Sequence, residues 1–370
     1  MKKTLWLLTF SIFLSCSKEN TLKSDFEIEY ETIDFRFDSL VLSSQVSYFH
    51  NVDYARNRIF VLNPFRYSID TLNFASGSYL QGKEIDVEGP YSITGFDSFL
   101  SDEIQANYYF GSNFYYYLNP LNGLKKKQYG LAGEETIYKV KLGSEFGNCV
   151  RCSQTNLLLL FNTLETQEKF YFATPENFDN QKITYLEFKL SDVLSSSKLE
   201  FSLSEKSKVV KDSHTYIQEF GDKYLTSWDF QSNIHMLNKN GEIQSTKEFE
   251  SNLFPNRKVF SPRDQKITNH QDFIAKSAEW NNDVSYGPIY KVPNSDNYFR
   301  LIKGKTSHRT KLDGGIFISL FDSELNKVGE KLINTDKPDM GLEYFVLKSG
   351  IYIKRVTESE DKLSFYRLTI

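Results

Sequence analysis

The sequence predicts an all-β chain, and three observations lead to that prediction. Aromatic residues, which favour strands, make up 15% of the 370 residues, with 31 Phe and 23 Tyr. Alanine, the strongest helix former, occurs only seven times. Short apolar segments separated by polar turns recur six times along the chain. This recurrence predicts a six-bladed β-propeller of four-stranded antiparallel blades.

The first predicted strand runs from Phe26 to Phe37. Its apolar residues alternate with glutamates as far as Tyr30 and resume one position out of phase at Ile33. A slip of one position moves side chains to the other face of a sheet, so we expect a bulge or break near Thr32. In a propeller this strand would complete the last blade beside the C-terminal strand, Leu363 to Thr369, and such closure removes exposed sheet edges.

Each repeat consists of two short apolar strands joined by a polar turn. Two repeats are followed by an Asn-Gly pair, Asn122-Gly123 and Asn240-Gly241, which is the strongest short-range hairpin signal. Repeats of roughly 58 residues built from such hairpins suit propeller blades. The six strand pairs begin at Arg58, Tyr108, Leu157, Tyr224, Tyr298 and Ile351.

Two segments are less regular. Leu190 to Leu199 is rich in serine and indicates a short helix or a loop between blades. Pro255 to Pro293 is the longest polar stretch with scattered aromatic residues. Because long loops in compact domains are often functional, we expect this second segment to be a functional loop.

The first residues have the layout of a targeting signal. Lys2 and Lys3 form a basic start, Leu5 to Leu14 form an apolar run, and Ser15 precedes Cys16, as in a secretory signal peptide. The run is shorter than the roughly 20 residues of a membrane-spanning helix. The Ser-Cys junction resembles the lipobox of bacterial lipoproteins, and this resemblance implies that Cys16 is lipidated.

This interpretation divides the chain into a signal peptide over residues 1–16, a polar tether over residues 17–24 and a single propeller domain over residues 25–370. Two or more acyl chains anchor a protein stably to a membrane. Ser17-Lys18-Glu19 resembles the surface-export signal of Bacteroidota lipoproteins. We therefore expect a lipid anchor on the cell outer membrane, on its surface-exposed or its periplasmic face.

Besides Cys16 the sequence has two cysteines, Cys149 and Cys152. Haem attachment would need a histidine after the second cysteine, where Ser153 stands, and zinc would need two further ligands at metal spacing. A local disulfide or a pair of thiols is the simpler interpretation, and export favours the disulfide.

The formal net charge is −4, and it becomes −6 when Lys2 and Lys3 are removed with the signal. A mildly acidic protein has no long-range attraction for nucleic acid. The dense basic run, Lys125 to Lys127, follows an Asn-Gly pair and indicates a solvated turn. We expect no nucleic-acid partner.

Gly77 to Lys83 matches the first seven positions of a phosphate-binding loop. The eighth position must be Ser or Thr to bind Mg²⁺, and Glu84 stands there. Ile85 to Pro90 cannot continue as the helix that such a loop needs, so the match indicates a strand and a turn. No two of the five histidines lie within four residues of each other. The sequence therefore predicts no local metal site and no cofactor.

The candidate ligand-binding residues lie in and near the segment from Pro255 to Pro293. Trp280 stands in a polar context, where an exposed indole would be a stacking surface for a sugar or a peptide. The competing interpretation is a packed indole surrounded by ordinary surface charges. The other candidates are His270, Tyr286, Arg300 and His308.

Three short motifs resemble a domain-of-unknown-function family of Bacteroidota lipoproteins. They are Asp86 to Pro90, Phe317 to Leu325 and Gly350 to Ile353. The resemblance covers nearly the whole chain after the signal and implies a TolB-like six-bladed β-propeller. The family has no established reaction, so the resemblance implies a fold and a location only.

On these grounds we expect a lipid-anchored binding or scaffold protein whose partner, besides the membrane, is a glycan, a peptide or an envelope protein. Two alternatives stay open. One is a glycan-active hydrolase that uses the central pocket of the propeller, and the other is a structural subunit of an outer-membrane assembly. Converging Asp, Glu or His side chains with raised carboxylate pKa values would favour the hydrolase.

Overall fold

The computed structural model describes residues 26–36, 50–63, 66–82, 84–86 and 88, the strands between 98 and 211, and residues 213, 215–261, 266–307, 314–356 and 362–370. These residues pair into antiparallel sheets, which confirms the all-β prediction. Among them are six four-stranded sheets, two two-stranded sheets and one α-helix, α1 (His270–Asn282).

We number the four-stranded sheets I to VI in chain order. Sheet I contains β2 (His50–Asp53), β3 (Arg58–Asn63), β4 (Ser68–Asn73) and β5 (Ser78–Leu80). Sheet II contains β6 (Ser98–Ser101), β7 (Asn107–Phe110), β8 (Phe114–Asn119) and β9 (Gly123–Gln128). Sheet III contains β10 (Ile137–Leu142), β13 (Leu159–Thr163), β14 (Lys169–Ala173) and β15 (Leu186–Lys189).

The remaining sheets include the one that contains the N-terminal strand. Sheet IV contains β18 (Thr215–Phe220), β19 (Lys223–Trp228), β20 (Gln231–Leu237) and β21 (Ile243–Lys247). Sheet V contains β22 (Ser285–Lys291), β23 (Tyr298–Lys303), β24 (Ile316–Phe321) and β25 (Lys327–Leu332). Sheet VI contains β26 (Met340–Leu347), β27 (Gly350–Arg355), β28 (Lys362–Thr369) and β1 (Glu29–Arg36). The two-stranded sheets are β11 (Arg151–Ser153) with β12 (Asn156–Leu157), and β16 (Leu199–Ser204) with β17 (Ser207–Lys211).

The N-terminal strand β1 lies at the edge of sheet VI, where it pairs antiparallel with β28. The expected pairing with the C-terminal strand is therefore confirmed. The register runs without a shift from Glu29 opposite Thr369 to Arg36 opposite Lys362. The expected bulge near Thr32 is wrong.

The change of phase in β1 arises because both faces of the strand are covered. Phe26, Ile28 and Tyr30 pack against the core between sheets V and VI. Ile33 and Phe35 belong to the core between sheets VI and I. Successive side chains of a strand point to opposite faces, so a strand between two neighbouring sheets needs apolar residues in both phases.

In the part of the chain whose side chains are described, the core consists of apolar layers between sheets IV, V, VI and I. Between sheets I and VI, the Phe74 ring meets the rings of Phe345, Tyr352 and Phe365 edge to face, with centres 5.3, 4.5 and 5.2 Å apart. Such pairs contribute about 0.5–1.5 kcal/mol each beyond their buried area. Apolar clusters also join sheet V to sheet VI and sheet IV to sheet V.

The two ends of the sheets differ. At the turn end, short turns join the first strand to the second in sheets I, IV, V and VI. At the loop end, the second strand is joined to the third and the chain passes on to the next sheet. Turns of neighbouring sheets touch: Ser349 N donates to Asn57 Oδ1 at 2.9 Å, and Asn294 Nδ2 donates to Lys348 O at 3.4 Å. Sheets I, V and VI therefore share one orientation.

Two expectations about loops are wrong. Pro255 to Pro293 is not one loop, because it contains α1 and β22. Lys125 to Lys127 lie within β9 and not in a turn; β9 is an edge strand, where lysines oppose pairing with another chain. Leu199 begins β16, and residues 190–198 lie outside the described residues.

Candidate functional site

The candidate site is the segment that joins sheet IV to sheet V at the loop end, residues 248–284, which we call the insertion. Its backbone is bonded to the turn between β19 and β20. Ser232 N donates to Asn256 O at 2.8 Å, and Lys258 N donates to Phe230 O at 2.8 Å. Residues 256 to 258 of the insertion are therefore fixed to sheet IV.

Local signals explain why a helix forms inside the insertion. Asn269 is the N-cap of α1, and its side-chain oxygen accepts a hydrogen bond from Asp272 N at 2.9 Å. Asp272 lies in the first turn, where the helix dipole favours a carboxylate, and its Oδ2 accepts from Thr268 N at 3.1 Å. Two of the seven alanines, Ala275 and Ala278, also lie in α1. The sequence therefore contained the signal for this helix.

Three other parts of the chain cap the C-terminus of α1. The carbonyl oxygens of Trp280 to Asn282 accept, in chain order, from Lys258 Nζ at 3.1 Å, from Lys303 Nζ and from Thr306 N at 2.7 Å. A helix C-terminus carries partial negative charge, so ammonium groups there are stabilising. The helix has no basic residue in its own last turn, and the two lysines supply that charge from outside.

Asp283 ends the helix and turns the chain into β22. Its Oδ1 accepts from Val284 N at 2.7 Å and its Oδ2 accepts from Phe260 N at 2.8 Å. The next strand is tied to sheet IV by Tyr286 N, which donates to Asp229 O at 3.0 Å. Both aspartates are buried.

The electrostatics of this cluster affect Lys303 most. Burial, reinforced by the nearby charge of Lys258, lowers the pKa of Lys303 to about 8, while Asp283 and Asp229 act in the opposite direction. Shifted lysines occur at functional sites and in structural networks. Because this ammonium donates to Asn281 O, its direct role here is to hold the helix.

Beneath the insertion, Arg300 joins sheet V to sheet IV. It is 2% exposed, and Nε, Nη1 and Nη2 donate to the carbonyl oxygens of Gly287, Ser232 and Trp228 at 2.7, 2.9 and 2.6 Å. The guanidinium lies 4.8 Å from the centre of the Tyr286 ring. Burial lowers the pKa of Arg300 to about 10, so the group stays charged at neutral pH. Its geometry is that of a structural clamp.

A cavity of about 10 Å³ lies beside this clamp, between sheets IV and V. It has room for about one water molecule and is too small for a sugar. Its polar lining includes Arg300, Ser319, Lys327 and Glu330. Lys327 Nζ and a Glu330 oxygen are 3.0 Å apart and both side chains are largely buried.

The expectation that Trp280 is an exposed loop residue is wrong. Trp280 is one of the two buried residues of α1, with Phe273, and it is only 3% exposed. Lys258 Nζ lies 4.8 Å from the centre of its ring, and the Phe260 ring meets it edge to face at 6.2 Å. The indole therefore has no free face for a ligand.

The other predicted ligand residues separate into two groups. Tyr286 and Arg300 are brought together, but both are buried and bonded within the protein. His270 is exposed at the first turn of α1, about 15 Å along the helix from Trp280. His308 lies outside the described residues.

Three further predictions concern residues that the structure does not describe. Cys16, the signal and the tether lie outside the described residues, as does Cys149. Cys152 lies in β11, of which only the strand backbone is described. Lipidation and the disulfide therefore stay predictions.

The segment that resembles a phosphate-binding loop leaves a turn at Gly77 and enters β5, so it contains a turn and a strand, as the sequence indicated. Gly82 N, which would have to face a phosphate, instead donates to Asp70 Oδ1 at 2.8 Å. Asp70 is buried and also accepts from Ser68 Oγ at 2.8 Å and from the Tyr79 hydroxyl. The Asp70 carboxylate therefore occupies the position beside Gly82 N that a phosphate would need.

Sequence reasoning missed Lys258, Lys303, Asp229 and Asp283. Isolated charged residues between short strands look like ordinary surface residues, so no signal in the sequence distinguished them. In the part of the chain that the structure describes, no group of three or more His, Cys, Asp or Glu side chains is arranged to bind a metal ion. None of the described helices is long and apolar enough to cross a membrane.

Comparison with known proteins gives a likeness of fold. No family model matches the sequence, and no curated protein matches it. A DUF4221 family member from Bacteroides vulgatus has a TM-score of 0.62 at 10% identity, over 93% of this chain and 98% of that chain. A putative exported protein from Bacteroides fragilis has a TM-score of 0.48 at 13% identity, over 93% and 96% of the two chains. Virginiamycin B lyase from Staphylococcus aureus has a TM-score of 0.42 at 11% identity, over 92% and 99%. The first likeness shows that this chain shares the fold of the DUF4221 member.

Proposed function

We propose that this chain is a lipid-anchored protein of the cell envelope whose six-bladed, TolB-like β-propeller binds a glycan, a peptide or an envelope protein through its loop end. The proposal joins three parts: the propeller, the anchor and the binding surface. Each has its own support, and the binding surface is the part that defines the function.

The propeller is supported by the sheets. Six four-stranded antiparallel sheets occur among the described residues, and β1 completes the last of them. Apolar layers join sheets IV, V, VI and I in succession, as blades around a channel require. The sequence motifs that resemble the Bacteroidota lipoprotein family and the likeness to the DUF4221 member favour the same architecture.

The anchor is supported by the sequence. A basic start, an apolar run and a Ser-Cys junction precede Cys16, and lipidation at that residue would place the propeller on the outer membrane, on either face. The membrane is thus one partner of the protein.

The binding surface is supported by one observation above all: Val259 is 71% exposed although both of its neighbours are fixed. Lys258 N donates to Phe230 O and Phe260 N donates to Asp283 Oδ2, each at 2.8 Å. An apolar side chain held outward by bonds on both sides is preorganised for contact, and preorganisation lowers the entropic cost of binding. Leu253 and Ile274 are also exposed on the insertion, at 47% and 48%.

The geometry favours binding over glycan hydrolysis. Hydrolysis by two carboxyl groups needs one with a raised pKa. At the loop end of sheet VI, burial alone would raise the pKa of Asp339, but hydrogen bonds from Tyr366 and Arg355 lower it below its usual value. Both carboxylate oxygens of Asp283 accept backbone N–H groups, from Val284 and Phe260, so this side chain holds the chain in place and does not face a substrate.

The test is a binding screen with the soluble protein lacking residues 1–20, against outer-membrane glycans and envelope peptides and proteins. Replacing Leu253, Val259 and Ile274 together by serine should weaken a detected interaction by tenfold or more, because about 1.4 kcal/mol is a factor of ten. The matched control replaces two exposed apolar residues of outer strands, Ile243→Ser and Leu332→Ser. Equal binding by both variants would remove the insertion as the binding surface. Stoichiometric assembly with membrane proteins that survives the triple change would favour the structural-subunit alternative.

A further inference from the structure

The cavity beside Arg300 is associated with one small residue of β24. All six residues of this strand are buried, and Ser319 is the one polar residue among them. Residues two apart share a face of a strand, so Ser319 stands between Phe317 and Phe321 on the face that contains the cavity. A serine side chain between two large rings leaves room that a third large side chain would fill.

The hydroxyl group of Ser319 needs a hydrogen-bond partner. Ser319 is 4% exposed, and none of the residues that the structure describes forms a hydrogen bond with its hydroxyl. Burying a hydroxyl group without a partner is unfavourable, and buried polar groups are bonded to protein or to ordered water in most proteins. Because Ser319 lines the cavity, the cavity is where that partner has room.

Two further polar side chains lie in the same row of sheet V. Arg300 is opposite Ser319, and Ser319 is opposite Glu330, so their Cβ atoms are neighbours about 4.5–5.5 Å apart on one face. A guanidinium has five N–H groups, and three of those on Arg300 donate to carbonyl oxygens. Within the described residues the other two form no hydrogen bond. Arg300 and Glu330 both line the cavity.

We propose that this cavity is a binding site for a single water molecule that joins the side chains of Arg300, Ser319 and Glu330. The water accepts a hydrogen bond from an unused N–H group of Arg300 and donates one to the Glu330 carboxylate. The Ser319 hydroxyl is its third partner. Three hydrogen bonds are typical of a buried water in a folded protein. This inference does not depend on the anchor or on the binding surface proposed above.

Size and charge favour water over an ion. The cavity has a volume of about 10 Å³, which is close to the minimum for one water molecule. Two positive and two negative residues line it: Arg300, Lys327, Glu250 and Glu330. An anion would lie beside the Glu330 carboxylate, and a cation would lie beside the guanidinium. A neutral molecule that both donates and accepts satisfies all three groups of the row.

The water would be the middle link of a polar connection across sheet V. At one end of the row, Arg300 donates to two carbonyl oxygens of sheet IV. At the other end, Glu330 pairs with Lys327 at 3.0 Å, and Lys327 Nζ donates to Glu250 O near the start of the insertion. A water between Arg300 and Glu330 joins these two ends through one set of hydrogen bonds.

The first test is a crystal structure of the full chain, purified in a mild detergent and crystallised from a bromide solution. One peak of electron density should lie about 2.7–3.2 Å from a guanidinium nitrogen of Arg300 and from Ser319 Oγ. The peak should give no anomalous signal at the bromine absorption edge. A cavity without density would overturn the proposal, and an anomalous peak would replace the water by a halide.

The second test counts long-lived waters in solution by oxygen-17 magnetic relaxation dispersion. Ser319→Val removes the hydroxyl and puts methyl groups into the cavity, so this variant should have one long-lived water fewer than wild type. Ser245→Val is the matched control, because the same change is made at an exposed position of β21, and its count should equal that of wild type. Equal counts in wild type and Ser319→Val would overturn the site. If Ser319→Val does not fold, the wild-type crystal decides the question alone.

Discussion

The ammonium group of Lys258 donates to the carbonyl oxygen of Trp280 at 3.1 Å and lies 4.8 Å from the centre of the Trp280 ring. One side chain thus caps the helix and covers the face of its largest residue. The contact explains why the indole is buried in a polar stretch of sequence. It also fixes the C-terminal part of α1 to the segment of the insertion that contains Lys258.

Replacing Lys258 by methionine should loosen the insertion. Lys258→Met keeps the aliphatic stem but leaves the carbonyl of Trp280 buried without its donor, which should lower the free energy of unfolding by about 1–3 kcal/mol. Amide hydrogen exchange in α1 should accelerate as well. Lys276→Met is the control, since Lys276 pairs with Glu279 on the exposed side of the same helix and should change stability by less than about 0.5 kcal/mol. If Lys258→Met and Lys276→Met lose the same unfolding free energy in urea, Lys258 does not cap the helix.

Replacing Arg300 by lysine should be strongly destabilising although the charge is kept. An ammonium group cannot reproduce a planar fork bonded to three carbonyl oxygens in fixed directions, and the loss should be about 2–4 kcal/mol. Arg56→Lys serves as the control, because Arg56 forms an exposed pair with Asp53 at 3.3 Å. If Arg300→Lys unfolds at the same urea concentration as wild type, the arginine does not clamp the two sheets.

Lys303 should make the protein relatively more stable in alkaline solution. Burial, helped by Lys258, lowers the pKa of Lys303 in the folded state to about 8 from its ordinary value of 10.5. Between these two values the unfolded chain binds more protons than the folded chain, so this residue's contribution to stability rises with pH across that window. Below pH 8 Lys303 is charged in both the folded and the unfolded chain, so it adds no pH-dependent stability there.

The measurement compares urea unfolding of wild type and Lys303→Met at pH 8 and pH 10. The unfolding free energy of wild type minus that of Lys303→Met should be larger at pH 10 than at pH 8. The exposed residue Lys348, replaced by methionine, corrects for general alkaline effects. If the unfolding free energies of wild type and Lys303→Met change in parallel with pH, the pKa of Lys303 is not lowered by folding.

Asp70 should be essential to the fold of sheet I and irrelevant to nucleotides. Asp70→Asn turns an N–H group toward donors such as Ser68 Oγ, Gly82 N and the Tyr79 hydroxyl, and should cost about 2–3 kcal/mol. Calorimetric titration with ATP should show no binding by wild type. Asp336→Asn, at an exposed aspartate, should unfold like wild type. Nucleotide binding that Asp70→Asn abolishes would restore the phosphate-loop interpretation.

The sequence predicted the central strands of each sheet and, apart from β1, missed the outer ones. All six predicted strand pairs are the second and third strands of sheets I to VI. Central strands are paired on both edges and covered on both faces, so they read as apolar runs. An outer strand such as β21 is largely exposed, and its pattern resembles that of a turn.

The site was less predictable because its residues are joined by tertiary contacts. Lys303 and Asn281 meet only because β23 of sheet V ends beside the helix that precedes β22. A lysine that binds a distant carbonyl has the same sequence signature as one in solvent. The local signals of α1, from Asn269 to Ala278, were visible but were outweighed by an all-β composition.

The pairing of β1 with β28 has a kinetic consequence. Asp34 and Ser364, which share a hydrogen bond at 2.7 Å, are 330 residues apart in the chain. Contacts of such long sequence separation form late, because the loop entropy must be lost before they stabilise anything. Phe35 stays without its partner Phe365 until the last strand has been synthesised, so the growing chain carries an unpaired apolar N-terminal strand throughout its synthesis. The pairing of β1 with β28 is therefore a late step in folding, at which a chaperone that covers the N-terminal strand would prevent aggregation.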